Sequence, residues 1–134
     1  MDTNALIIEY SHNPVNQYIM EHPTIRYREH NRVCADVLEV FLLIEGGILI
    51  DFSFDGYMSI VATACAAITG ESLLEQDLEM ILGYNEEYIK NIIGEGISPR
   101  RRNASLIGLL AVKNAIHEYL GDGKREDFSD ILVG

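Results

Sequence analysis

Arg32-Val33-Cys34-Ala35-Asp36 leads into Val37-Leu38-Glu39-Val40-Phe41-Leu42-Leu43-Ile44-Glu45, and after Gly46-Gly47 the chain continues as Ile48-Leu49-Ile50-Asp51-Phe52-Ser53-Phe54-Asp55. Both runs alternate with the period of a strand, and a Gly-Gly pair between two such runs is a hairpin turn. Leu38, Val40, Leu42 and Ile44 fall on one face of the first strand, and Ile48, Ile50, Phe52 and Phe54 on one face of the second. The reading is a hairpin laid over a core, with a thiol and a carboxylate two residues apart at its mouth. No other stretch concentrates as much chemistry.

Upstream, Thr24 to His30 is half polar and half β-favouring, which suits an edge strand with one wet face. His12-Asn13-Pro14-Val15-Asn16 reads as a loop, because proline removes a donor and disfavours helix in the residue before it. Residues 2 to 10 fit a short helix capped by Asp2, Thr3 or Asn4, serving as a lid or anchor.

Downstream of Ser59 the period becomes helical. Ser59 to Thr69 is small and apolar nearly all round, as a helix packed closely on a sheet requires, and Gly70 is expected to end it. Ser72-Leu73-Leu74-Glu75 has capping-box spacing for a second helix with Leu74, Leu78, Ile81 and Leu82 inward. Asn85 is placed to cap a third, carrying Tyr88, Ile89, Ile92 and Ile93 and ending at Gly94 and Gly96. Ser98-Pro99 opens a long last helix, with Leu106, Leu109, Leu110, Ala115, Ile116, Tyr119 and Leu120 on its apolar stripe up to Gly121. Strands first and helices afterwards make an α+β fold, a small three-stranded antiparallel sheet with helices packed on one face. One domain over residues 1–134 is expected, its core at about 5–120 and its acidic end, 121–134, loose.

Composition narrows the function. The chain has 134 residues, 48% of them hydrophobic, and a formal net charge of −11. That is enough apolar material for a core, while so much negative charge repels nucleic acid and anionic membrane surfaces. The longest apolar stretches fall well short of the roughly 20 residues that span a bilayer. The start of the chain carries Asp2 and Glu9 where a signal peptide has basic residues, so cytoplasm is the expected compartment, and there Cys34 and Cys65 remain thiols.

Taken together, Tyr10-x-x-Asn13-Pro14-x-Asn16, Cys34-Ala35-Asp36-Val37, the Gly46 turn, Ile50-Asp51-Phe52-Ser53-Phe54, the small-residue helix and Asn103-Ala104-Ser105-Leu106 resemble, in order and rough spacing, the NifU N-terminal/IscU/SufU iron-sulfur scaffold family. The resemblance covers about residues 5 to 120. It implies a non-enzymatic scaffold that assembles an iron-sulfur cluster, or holds zinc, on three cysteines and one aspartate, and that partners a cysteine desulfurase and iron-sulfur acceptor proteins.

On that resemblance, Cys34 and Asp36 are the first cysteine and the aspartate, and the candidate metal ligands. The second cysteine position falls on Ser59, or on Tyr57 if a short gap is allowed, and the third on Asn103. Arg102 precedes it where relatives have His or Lys. A chaperone-recognition segment of some relatives is replaced by Ile97-Ser98-Pro99-Arg100. Two thiolates are therefore missing, and hydroxyl and amide groups replace thiolates poorly on iron or zinc. One thiolate and one carboxylate form a half-site, to be completed across a dimer, by a partner's cysteine or by an exogenous thiol. The implied cargo is a cluster or iron, zinc less readily, or none.

Each of these residues also has a plain structural reading. Cys34 is a small hydrophobe before a strand, Cys65 packs in a helix, Asp36 caps a turn, and Ser59 and Asn103 are favoured helix N-caps. His12, His22 and His30 bring no base-orienting pattern that would make Cys34 a hydrolase nucleophile. Arg100-Arg101-Arg102 is the one basic run of an acidic chain, and cations at a helix start oppose its dipole, which favours a docking role. Two functions remain: a divergent iron-sulfur assembly protein that accepts sulfur or iron at Cys34 and Asp36, and a module that binds a desulfurase or acceptor without carrying anything.

Overall fold

Two glycines at the tip of the alternating run turn the chain back on itself. In the computed structural model, which describes residues 2–134, they join strand β2 (Asp36–Glu45) to β3 (Ile48–Tyr57). Gly46 and Gly47 have φ of 58° and 76°, the left-handed pair that a tight hairpin turn needs and that only glycine adopts freely. β1 (Ile25–Asn31) pairs antiparallel with the other side of β2, so the sheet order is β1-β2-β3. Helix α1 (Thr3–Ser11), capped by Asp2, precedes the sheet. The expected three-stranded antiparallel sheet with helices packed on it is present.

Leu38, Val40, Leu42 and Ile44 are buried as their period predicts. On β3 the pattern is half overturned. Leu43 pairs with Asp51 but Ile44 pairs with Leu49, so Ile50 is one residue too many. This bulge brings Leu49, fully buried, onto the core side beside Phe52 and Phe54, and leaves Ile48 and Ile50 only half-buried.

The segment between α1 and β1 covers the free edge of β3. The Phe54 N–H donates to the Asn16 carbonyl at 3.0 Å, and Asn16 Nδ2 donates to the Ala67 carbonyl at 2.9 Å. One asparagine thus ties loop, sheet and helix together, and satisfies edge groups that would otherwise be open to pairing.

Helix α2 (Ile60–Leu73) does not stop at Gly70. A Cβ at that position would lie 2.0 Å from the Phe52 ring, so the glycine is there for close packing of helix on sheet. The Ser72–Glu75 capping box does not form either. Ser72 lies in the last turn of α2, its hydroxyl donating to the Thr69 carbonyl at 2.7 Å, and Asp77 caps the next helix, α3 (Leu78–Leu82). Asn85 caps α4 (Glu86–Ile93), as its position predicts, and Gly94 ends it.

A single 3-10 turn, Pro99–Arg101, leads into α5 (Arg102–Leu120). α5 is buried along most of its length and lies against α2, where a Cβ on Gly108 would come within 3.0 Å of the Ala66 backbone. Among the described residues, no helix is long and apolar enough to cross a membrane.

The end of the chain is packed rather than loose. Glu126 meets three side chains of α5: His117 Nε2 at 2.7 Å, Lys113 Nζ at 2.8 Å, and Asn114, which exchanges two hydrogen bonds with the Glu126 main chain. The short helix α6 (Phe128–Ile131) follows, with Ile131 fully buried. The Val133 main chain is then clasped: its N–H donates to Glu86 at 3.0 Å and its carbonyl accepts from Arg102 at 2.6 Å. Burial acts to lower the His117 pKa, but the carboxylates of Asp122 and Glu126, one on each ring nitrogen, outweigh it and the pKa is raised above 6.5.

Two outcomes follow from this packing. Gly70→Ala should lower the unfolding free energy by about 1–3 kcal/mol, the usual cost of overpacking, measured by urea titration. A raised histidine pKa stabilises fully below the unfolded value and loses that stabilisation as pH rises through the folded value. The stability gap between the wild type and His117→Gln should therefore be widest below pH 6.5 and close as pH rises, read from thermal melts across pH.

Candidate functional site

The turn of residues 32–35 joins β1 to β2, and its last residue, Ala35, sits at φ 57°. A non-glycine residue held in this left-handed region stores strain, which tends to concentrate at functional loops. The turn lifts Cys34 into solvent as a free thiol, with Val33 exposed beside it. Asp36, two residues on, points the other way and is 2% exposed.

A carboxylate removed from water needs donors, and Asp36 has two. The Ser59 main-chain N–H donates to Oδ1 at 2.8 Å and Asn31 Nδ2 donates to Oδ2 at 3.3 Å. Asp36 thereby joins the end of β1, the start of β2 and the entry to α2. Ser59 is the N-cap of α2, its Oγ accepting from the Ala62 N–H at 3.2 Å. Tyr57, the other candidate for the second cysteine position, stands 87% exposed at the end of β3.

Cys34 and Ser59 share the wall of a groove of about 690 Å³ between α1, α2 and the start of α5. Ile8 and Ile60 line it with Arg100 and Arg101 at one side. Asn103 does not reach this groove. It lines a smaller hollow with Asn31, Arg32 and Val33 on the side facing Phe128 of α6. Nor is Asn103 a cap, because α5 already begins at Arg102 and its N-cap, Arg101, makes no side-chain capping bond.

The arginine run is divided. Arg102 turns inward to the buried Glu86 and holds that carboxyl below its ordinary pKa through a paired hydrogen bond, whereas Arg100 and Arg101 remain exposed.

The donor set does not fit a stable iron-sulfur or zinc site on this chain alone. It offers one exposed thiol, a carboxylate whose two oxygens are both engaged, a hydroxyl committed to a helix end and an amide in a separate hollow. Among the described residues, no cluster of three or more His, Cys, Asp and Glu side chains is placed to hold a metal ion.

Cys65 is buried in α2, and burial pushes its thiol up to about 12. His12, His22 and His30 are exposed. Among the described residues the one buried histidine, His117, lies in the network at the far end of α5. Its signal in the sequence was only its place near the C-terminus of a helix.

The two thiols should be separable by reactivity. Iodoacetamide at pH 8 should modify one cysteine in the native protein, Cys34, and the second only after unfolding, since a thiol with a pKa near 12 holds almost no thiolate at that pH. Peptide mapping by mass spectrometry checks the assignment.

A family model described as the NifU-like N terminal domain matches residues 3–126. No curated protein sequence matches the chain. Among solved structures, an N-terminal nitrogen-fixing NifU-like protein from Brucella abortus is similar, with a TM-score of 0.70 and 14% identity over 89% of this chain and 94% of that one. A putative iron-sulfur cluster assembly scaffold protein for the SUF system from Fervidobacterium islandicum aligns with a TM-score of 0.71 and 18% identity, covering 83% of this chain and 93% of its own. A further structure, described only as a hypothetical protein, gives a TM-score of 0.73 and 18% identity over 85% and 96% of the two chains. With its sheet, its helices and the match from residue 3 to residue 126 all in agreement, the chain belongs to the NifU-like N-terminal domain family.

Proposed function

We propose that this chain serves iron-sulfur cluster assembly as a scaffold-like protein whose Cys34 receives sulfur from a partner, without retaining a whole cluster on its own side chains. Family membership supports the process, as does the likeness to a protein described as a putative scaffold of the SUF system. The observation that carries the specific role is the exposed, unpaired thiol of Cys34 on the strained turn. Both cysteines being free suits a reducing compartment such as the cytoplasm.

Sulfur acceptance needs one nucleophile and no resident metal. The Cys34 thiolate attacks the outer sulfur of a partner's cysteine persulfide, the partner's S–S bond breaks, and its cysteine departs as a thiolate. Cys34 then carries the persulfide, and the exchange involves no net oxidation. The fitting partner is a cysteine desulfurase, and the sulfur passes onward to an acceptor.

The engaged state of Asp36 and Ser59 favours a second reading, in which the chain binds a desulfurase or acceptor and carries nothing. Incubation with a cysteine desulfurase and cysteine, followed by intact-mass measurement, separates the two. The first reading expects one added sulfur on the wild type and none on Cys34→Ser. The second expects no addition to either, with desulfurase binding equal in both. Absence of both addition and desulfurase binding would end the first reading and the desulfurase form of the second. A Cys34-dependent chromophore after anaerobic reconstitution with iron and sulfide would end the statement that no whole cluster is retained.

A further inference from the structure

The groove beside Cys34 has a character that sulfur transfer does not require. Ile8 and Ile60 stand 62% and 67% exposed along it, on helices that already bury Ile7 and Val61 beneath them. Its volume of about 690 Å³ lies within the range of binding pockets, about 300–1,000 Å³. Large apolar side chains left adjacent to one another on a surface mark an interaction site more often than chance.

Charge at the groove points to the kind of occupant. In a chain of net charge −11, Arg100 and Arg101 sit side by side at its edge, with their exposed guanidinium groups in none of the chain's ion pairs among the described residues. They precede α5, where positive charge opposes the helix dipole, so they detract from the helix they introduce. α5 is also left without a side-chain cap, and Ala104 of its first turn lines the groove. Two exposed arginines outside every ion pair of the described residues favour a carboxylate supplied from outside.

We propose that this groove receives an amphipathic segment of a partner protein, with apolar side chains between Ile8 and Ile60 and carboxylates against Arg100 and Arg101. The inference rests on, and deepens, the reading of this surface as the place where a partner meets Cys34, because it brings the segment alongside the thiol. Helix-in-groove recognition is the general mode it would use.

The test uses two fluorescently labelled synthetic helices, one with a leucine face and a glutamate face, the other with lysine replacing glutamate, titrated with the full chain and read by anisotropy. The glutamate peptide should bind, and its affinity should fall about ten-fold or more both in the double variant Arg100→Glu/Arg101→Glu and in Ile60→Asp. These positions are exposed, and circular dichroism confirms that the variants fold. The lysine peptide, drawn to the acidic surface at large, should not weaken in the arginine variant. Absence of glutamate-peptide binding, or binding indifferent to these substitutions, overturns the proposal. Self-association of the chain that disappears with the same substitutions also overturns it, by making a second copy the occupant. No sulfur donor is present in the assay, so failure to dock leaves sulfur acceptance standing, and failure to load sulfur leaves docking standing.

Discussion

The buried carboxylate of Asp36 is the joint on which this end of the molecule depends. Burying a carboxyl group without partners is costly for a small domain, and here the Ser59 main chain and the Asn31 amide supply the hydrogen bonds that make it tolerable. Those two bonds hold the last residue of β1, the first residue of β2 and the entry of α2 in one arrangement. The turn carrying Cys34 is strung between two of these fixed points, and the groove beside it takes one wall from the third. A residue that the family resemblance marks as a ligand thus acts in this chain as a structural bracket.

Much of the fold was legible because the hairpin, the edge strand and the helix caps at Asp2, Ser59 and Asn85 are local. Their signals lie within a few residues of the geometry they determine. What was not legible is what depends on partners far along the chain. The bulge at Ile50 cannot be told from regular alternation until β2 is laid beside it. Gly70 carries the signal of a helix stop, and only the Phe52 ring on the neighbouring strand shows why it is a helix interior. The C-terminal segment looks like a solvated acidic tail because its charges are visible in sequence and their partners, Lys113 and His117, are buried in a helix that reads as apolar.

The candidate site divides in the same way. The turn and its thiol could be found from sequence, and so could the loss of two thiolates, since both are matters of residue identity. That each oxygen of Asp36 already accepts a hydrogen bond, that Asn103 opens onto a different hollow from Cys34, and that Arg102 leaves its two neighbours to pair with Glu86 are matters of direction. The arginine run is divided in the same way: one guanidinium is spent on Glu86 and the C-terminal segment, and the other two give an acidic protein a small positive edge beside its exposed thiol.

The cap at Ser59 has a wider consequence. Asp36 is bonded to the main chain of residue 59 and not to its side chain, so the bracket does not depend on which side chain stands there. Exchanging the serine for a cysteine would give up one capping bond, worth about 1 kcal/mol, and add a thiol to the wall that already holds Cys34. The frame at this end of the molecule therefore constrains the main chain of residue 59 and leaves its side chain free to vary.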